Sequence, residues 1–114
     1  MTNDVRNLVE DATFDFTMGE NTEAIAKLRK ALETDPRCFA AWHALTEIYF
    51  SERKLDEALE SATKALEIEP EDIHIHTSLS RIHMERGDKT TAEHHGAQAR
   101  MLGWKKELRD GPEE

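Results

Sequence analysis

Histidine is the residue type of this chain with the clearest capacity for chemistry, since imidazole binds metal ions and exchanges protons near neutral pH. Six histidines occur among the 114 residues. His74 and His76 would point to different sides of a helix, and the adjacent His94 and His95 would diverge. His76 and His83 are seven residues apart and would share one face. The sequence contains no His-Glu-x-x-His motif and no three ligands at metal spacing. We therefore predict no metal site and no cofactor, and keep a histidine-based metal-binding protein as an alternative.

The single cysteine, Cys38, excludes an intrachain disulfide and a cysteine zinc site. No histidine lies beside it in sequence to activate the thiol as a nucleophile. The chain also lacks a glycine-rich phosphate loop and a Gly-x-Ser-x-Gly turn. The sequence therefore predicts a protein that is not an enzyme and has no catalytic residues.

The charge of the chain limits its partners. Lys and Arg number 15 and Asp and Glu number 24, which gives a net charge of -9. Such a chain repels phosphate backbones and anionic lipids, so we expect no nucleic-acid and no membrane partner. No apolar run approaches 18 residues, and the first residues do not resemble a secretory signal. We expect a cytoplasmic protein.

The residues of the chain recur with a period of 34. The matched positions are Ala24, Ala58 and Ala92, then Ala31, Ala65 and Ala99, and Pro36 with Pro70. Each unit carries two stretches with apolar residues three and four apart, which predicts two amphipathic helices. Proline then ends the second stretch, because it disfavours helix in the residue before it. One helix pair cannot bury its apolar face alone, so we expect successive pairs to stack.

The middle unit resembles the tetratricopeptide repeat family. The residues at that family's signature positions are Trp42, Leu45, Tyr49, Ala58, Ala65 and Pro70. Thr46 stands where glycine or alanine is usual, and Ala62 where an aromatic is usual. The resemblance implies an all-α fold of three stacked helix-turn-helix pairs in a right-handed superhelical α-solenoid. Residues 1–114 would form one array, with repeats at about 5–38, 39–72 and 73–106 and a tail at 107–114.

The outer units depart from the repeat pattern. In the first unit Asp11 and Asp15 fall at positions that are normally apolar, which suggests that the first helix is rotated or shifted in register. In the third unit His76 and His83 replace two large aromatic residues. Gly96 replaces the aromatic residue of the second helix. Terminal repeats of a stacked array lack one neighbour, so such departures are expected there.

The last segment of the chain is open to two interpretations. Gly103 could end the last helix, and Trp104 and Leu108 are four residues apart. This spacing favours a short capping helix that folds back over the third pair. The alternative is an exposed Trp104 that contacts a partner or a second subunit.

The resemblance also implies a binding surface. In the tetratricopeptide family the first helix of each unit lines a concave groove that binds a peptide or helix of a partner protein. The groove residues implied here are Phe16, His43, Glu47, Phe50, His74, Thr77, Arg81 and Met84. Three of them, Phe16, Phe50 and Met84, would form an apolar stripe, although they could instead pack between helices. Glu47 and Arg81 occupy equivalent positions and could pair across the groove, and His43 and His74 could face the same groove from adjacent units.

The sequence therefore predicts a non-catalytic protein-interaction scaffold or adaptor. The acidic excess lies outside the groove, so a partner with basic flanks would associate faster. The main alternative is a self-associating assembly module, because an uncovered array end can pair with another copy. A monomer or weak homo-oligomer is expected.

Overall fold

The computed structural model describes residues 3–111, which form six helices joined by short turns. The helices are α1 (Asn3–Thr17), α2 (Asn21–Thr34), α3 (Phe39–Ser51), α4 (Leu55–Ile68), α5 (Ile73–Glu85) and α6 (Lys89–Asp110). The closest packing joins α1 to α2, α3 to α4 and α5 to α6. Packing of α2 on α3 and of α4 on α5 joins the pairs into a stack. The predicted fold of three stacked helix pairs is confirmed.

One side of the stack is formed by the first helices of the pairs, and the other side by the second helices. The first helices of neighbouring pairs touch, α1 with α3 and α3 with α5. The second helices α2, α4 and α6 make no such contact with each other within residues 3–111. Neighbouring first helices are therefore nearer together than neighbouring second helices, which places α1, α3 and α5 on the concave side.

Small residues allow the helices to approach closely. Ala24, Ala58 and Ala92 are fully buried at equivalent positions. Ala31 and Ala65 are also fully buried, since a following helix pair covers each of them. The larger side chains of the core are Leu28, Ile48, Ile75, Leu79 and Ile82.

The turn within each pair repeats the same backbone conformation. Gly19, Arg53 and Gly87 are spaced by 34 residues and have φ values of 80°, 61° and 84°. This left-handed region costs an L-residue with a side chain roughly 1–2 kcal/mol, whereas glycine adopts it freely. Arg53 therefore bears a backbone cost that its two glycine counterparts do not.

Helix α1 keeps the register of the other first helices. Ala12 is fully buried, like Thr46 at the equivalent position of α3. Asp15 occupies the position of Tyr49 and is only 7% exposed. The Nζ of Lys27 lies 2.7 Å from its carboxylate, so the buried charge is paired. The register shift suggested by Asp11 and Asp15 is wrong, because Lys27 makes a carboxylate acceptable there.

The two positions that hold Asp15 and Lys27 carry different chemistry in each pair. In the second pair they are Tyr49 and Ser61, which line one pocket of about 470 Å³ between α2 and α4. In the third pair they are His83 and His95, whose rings stack with centroids 5.8 Å apart. One backbone geometry thus accepts an ion pair, a tyrosine and a serine that line one pocket, or two stacked imidazoles.

The separate capping helix does not form within the described residues. Helix α6 runs without a break for 22 residues and passes through Gly103. Trp104 is 64% exposed and Leu108 is 69% exposed, so neither folds back over the third pair. A glycine within a helix costs about 1 kcal/mol relative to alanine, and the residues around it are mostly strong helix formers. The glycine therefore does not end the helix.

Candidate functional site on the concave face

The concave face is formed by α3 and α5 together with the neighbouring α1. Of the eight residues predicted for it, five make described contacts with one another: His43, Glu47, Phe50, His74 and Arg81. They come from equivalent rows of α3 and α5, which the stacking of the two pairs brings side by side.

Glu47 is the centre of a polar network between the two helices. Its Oε1 lies 3.5 Å from the Nη1 of Arg81, which confirms the pairing suggested by the repeat spacing. Its Oε2 accepts a hydrogen bond of 2.8 Å from the hydroxyl of Ser78. The guanidinium carbon of Arg81 lies 4.5 Å from the centroid of the Phe50 ring, within cation–π range. These contacts fix the Arg81 side chain, which is still 52% exposed.

An exposed and fixed guanidinium can recognise hydrogen-bond acceptors. Arginine carries five N–H donors and no acceptor, and Glu47 takes up only part of them. The remaining donors of Arg81 face solvent and can donate to backbone carbonyls or a carboxylate of a bound chain.

The predicted apolar stripe is only partly exposed to solvent. Phe16 and Phe50 are half-buried and pack against the core, and Arg81 covers one face of the Phe50 ring. Met84 is 49% exposed. Thr77 is exposed and its hydroxyl donates to the carbonyl of Ile73 within its own helix. Met84 is thus the most accessible apolar member of the stripe.

Two histidines meet at the N-terminal ends of α3 and α5. The rings of His43 and His74 stack with centroids 6.5 Å apart, and Phe39 lies 5.8 Å from His43. The prediction that both histidines face the same groove is consistent with this contact. They extend the row formed by Glu47 and Arg81.

Two contacts on this face were not predicted. The hydroxyl of Ser78 bonds to Glu47, and an ion pair of 2.7 Å joins Arg53 to Glu85 near the turns. This ion pair holds the pKa of Glu85 below its usual value. Arg53 stands at the position that glycine occupies in the other two units, as Gly19 and Gly87. This departure from the repeat could have identified Arg53 as unusual. The repeat positions place Ser78 and Glu85 on this face, but the contacts of their side chains depend on directions that the spacing does not give.

The remaining histidines of the third pair pack between α5 and α6, away from the groove. His76 is 6% exposed, and its Nε2 donates to the carbonyl of Pro70 at 2.8 Å. Trp42 makes the equivalent bond, from Nε1 to the carbonyl of Pro36 at 2.9 Å. His76 thus repeats the hydrogen bond of the tryptophan that it replaces.

The position of the proton on His76 determines its second contact. Since Nε2 is the donor to a carbonyl, the Nδ1 of neutral His76 is an acceptor. It lies 3.1 Å from the Nδ1 of His95, which therefore donates. Burial, together with the nearby His76, His83 and His94, lowers the pKa of His95 to about 4. His95 is therefore a neutral packing group at neutral pH.

The described residues offer neither a metal-ligand set nor a membrane-spanning helix. Within residues 3–111, no three side chains of His, Cys, Asp or Glu are arranged so that they could hold a metal ion. In the same range, no helix has the length and apolar character needed to cross a bilayer.

A stack of helix pairs whose first helices share a concave face is a helical-repeat solenoid. Residues 39–72, the second pair, match the family model of the tetratricopeptide repeat. The second helix pair is therefore a tetratricopeptide repeat, as the resemblance of the middle unit predicts.

Relatives and solved structures agree with this assignment. The chain is 37% identical over 89 residues to human superkiller complex protein 3, and 30% identical over 71 residues to the mouse N-alpha-acetyltransferase 16, NatA auxiliary subunit. These matches cover 78% and 62% of this chain, which spans only 6% and 8% of the two relatives. Crystallised MamA has the same fold, with a TM-score of 0.87 at 23% identity over 93% of this chain and 62% of MamA. MamA from Desulfovibrio magneticus RS-1 gives a TM-score of 0.83 at 20% identity, covering 90% of this chain and 58% of its own.

Proposed function

We propose that the protein is a non-catalytic adaptor that binds an extended segment of a partner protein along its concave face. The observation that carries the proposal is the fixed but exposed guanidinium of Arg81, held by Glu47 beside the Phe50 ring. Preorganised donors lower the cost of binding, because the side chain does not have to be ordered when the partner arrives.

The composition of this face favours a peptide with mixed character. Arg81 offers donors to backbone carbonyls, and Met84 offers an exposed apolar contact three residues further along the same helix. The chain as a whole carries a net charge of -9, so basic residues flanking the bound segment would accelerate association. The array of residues 1–114 would act as one unit in this role.

The family assignment supports binding in general, and the relatives include subunits of protein complexes by name. We place the protein in the cytoplasm, since a lone cysteine with no possible intrachain disulfide is typical of a reducing compartment.

The proposal is tested by selecting peptides from a displayed random library against the wild-type protein. Arg81→Ala and Met84→Glu are the test variants, because both side chains are about half exposed and their replacement spares the core. Lys64→Ala, on the exposed side of α4, is the matched control. Circular dichroism confirms that all three variants are folded.

We expect selected peptides to bind the control like the wild type and to bind each test variant at least tenfold more weakly by calorimetry. Peptides that bind all four proteins equally would place the binding surface elsewhere and refute the proposal. A failure to enrich any peptide at all would also count against an extended-segment partner.

A further inference from the structure

The pocket of about 470 Å³ at the second helix pair is a candidate binding site separate from the concave face. It is lined by residues of α2, α3 and α4, and none of the residues predicted for the groove lines it. Pockets of about 300–1,000 Å³ are the size that holds small molecules in proteins. The chemistry of the lining residues therefore indicates what kind of molecule would fit.

The small size of Ser61 explains why the pocket lies at this pair. The equivalent residue of the first pair is Lys27, which reaches across to a carboxylate at 2.7 Å. The equivalent residue of the third pair is His95, whose ring stacks on a second imidazole. Ser61 is too short to make either contact, so the space beside it stays open.

The hydroxyl of Ser61 is available to a ligand. The residue is only 3% exposed, yet it lines the pocket. Within residues 3–111 this hydroxyl has no hydrogen-bond partner. A buried polar group without a partner is unfavourable, so a ligand atom that bonds to it would be stabilised.

The buried part of the pocket is apolar and aromatic. Four residues form it: Leu32, Trp42, Leu45 and Tyr49. Hydrogen bonds hold both rings, since the Nε1 of Trp42 donates to the carbonyl of Pro36 at 2.9 Å and Arg29 donates to the Oη of Tyr49 at 2.6 Å. Fixed aromatic rings attract cations, and the indole of tryptophan does so most strongly.

The entrance of the pocket is acidic. Glu33 of α2 and Glu57 and Glu60 of α4 line it and are exposed. The one cation among its lining residues is Arg29. Three carboxylates and one guanidinium give the lining a net charge of -2. Such a site favours a positively charged ligand and disfavours an anion.

We propose that this pocket binds a small organic amine. The apolar body of the ligand would lie against Trp42 and Tyr49, and its ammonium group would donate to Ser61 and to the carboxylates of Glu57 and Glu60. An ammonium group supplies three donors and no acceptor, which matches a hydroxyl and carboxylates. This inference does not depend on the concave-face proposal, because the two sites share no residue.

The test uses phenethylammonium as the probe, with 2-phenylethanol and phenylacetate as neutral and anionic probes that carry the same ring. Binding is followed by the NMR signal of the Trp42 indole N–H during titration. The chain has two tryptophans, so the variant Trp104→Phe assigns this signal.

Three variants locate the site, and circular dichroism confirms that each is folded. The double variant Glu57→Gln/Glu60→Gln removes two carboxylates at the entrance. The control Glu67→Gln/Glu69→Gln removes the same charge from exposed residues that do not line this pocket. Ser61→Lys introduces the residue of the first pair and places an ammonium group of the protein in the pocket.

We expect the wild type to bind phenethylammonium about tenfold more tightly than 2-phenylethanol and not to bind phenylacetate. The variant Glu57→Gln/Glu60→Gln should bind the amine about fivefold more weakly and the alcohol equally well. The control should bind both like the wild type, and Ser61→Lys should bind neither. Added salt should weaken binding of the amine alone.

Other outcomes overturn the proposal. If no probe moves the Trp42 signal at millimolar concentration, the pocket does not bind such molecules. Equal affinity for the amine and the alcohol would show an apolar cavity that does not recognise charge. An equal loss in the two double variants would show that only the overall charge of the protein acts. A folded Ser61→Lys variant that still binds the amine would place the site elsewhere.

Discussion

Acidification is expected to weaken the third helix pair through His95. Its imidazole is partly buried between α5 and α6, where protonation is costly and the pKa falls to about 4. In the unfolded chain the pKa would return to about 6.5. Between these values the unfolded chain takes up a proton that the folded chain does not, so stability falls as the pH drops from about 7 towards 4.

The size of the effect follows from the two pKa values. Between pH 7.5 and pH 5 the linkage relation gives about 2 kcal/mol for a shift from 6.5 to about 4. His95 is only partly buried, so solvent screening reduces this to about 1 kcal/mol. His76 and His83 of α5 and the adjacent His94 all face it and oppose its protonation. Asp88 at the start of α6 lies 4.0 Å from His83, and hydrogen bonds from Thr91 lower its pKa, so it stays charged in this window.

Urea unfolding at pH 7.5 and pH 5 measures the effect. The His95→Gln variant removes the titrating group, and His94→Gln is the control because His94 is the exposed neighbour. We expect the wild type and the control to lose about 1 kcal/mol more than His95→Gln over this range. Equal losses in all three proteins would show that His95 is not held in its neutral form by the fold, and would refute the reasoning.

Three further predictions concern the packing and backbone of the array. Replacing the fully buried Ala58 by Leu should overpack the contact between helices and lower the free energy of unfolding by about 1–3 kcal/mol. The control Ala97→Leu changes an exposed residue and should have little effect. An unchanged melting temperature for Ala58→Leu would contradict a tight contact. Arg53→Gly should be about 0.5–1 kcal/mol more stable to urea than Arg53→Ala. Both variants lose the ion pair with Glu85, and the strain of about 1–2 kcal/mol that alanine bears at a φ of 61° is partly offset by the larger entropy that glycine loses on folding. A Cβ added at Gly103 meets nothing within 4 Å, so Gly103→Ala should raise the free energy of unfolding by about 0.5–1 kcal/mol. Destabilisation by that change would instead mean that the helix needs to break there.

The period of 34 residues was sufficient to predict most of the fold from the sequence. Recurring alanines such as Ala24 and Ala58 mark helix contacts that the structure buries completely. The repeat pattern did not predict individual pairs of interacting side chains. The partner that makes Asp15 acceptable is Lys27, which an apolar pattern does not identify.

Local signals at the C-terminal end were outweighed by their surroundings. Gly103 favours a helix end, but the modest cost of one glycine is offset by good helix formers on either side. In the groove, equivalent positions predicted that Glu47 and Arg81 would meet. The placement of Arg81 over Phe50 depends on side-chain rotamers and could not be derived from spacing.

The three helix pairs carry different residues at one shared pair of positions, and this difference affects how the array unfolds. The residues there are Asp15 and Lys27, Tyr49 and Ser61, and His83 and His95. In a linear stack each pair contacts only its neighbours, so unfolding can begin at either end. Acid between about pH 7 and pH 4 weakens the histidine pair at one end through His95, whereas the ion pair of Asp15 and Lys27 lies at the opposite end. Mild acid would therefore make the end that carries α6 unfold first, although all three pairs share one backbone.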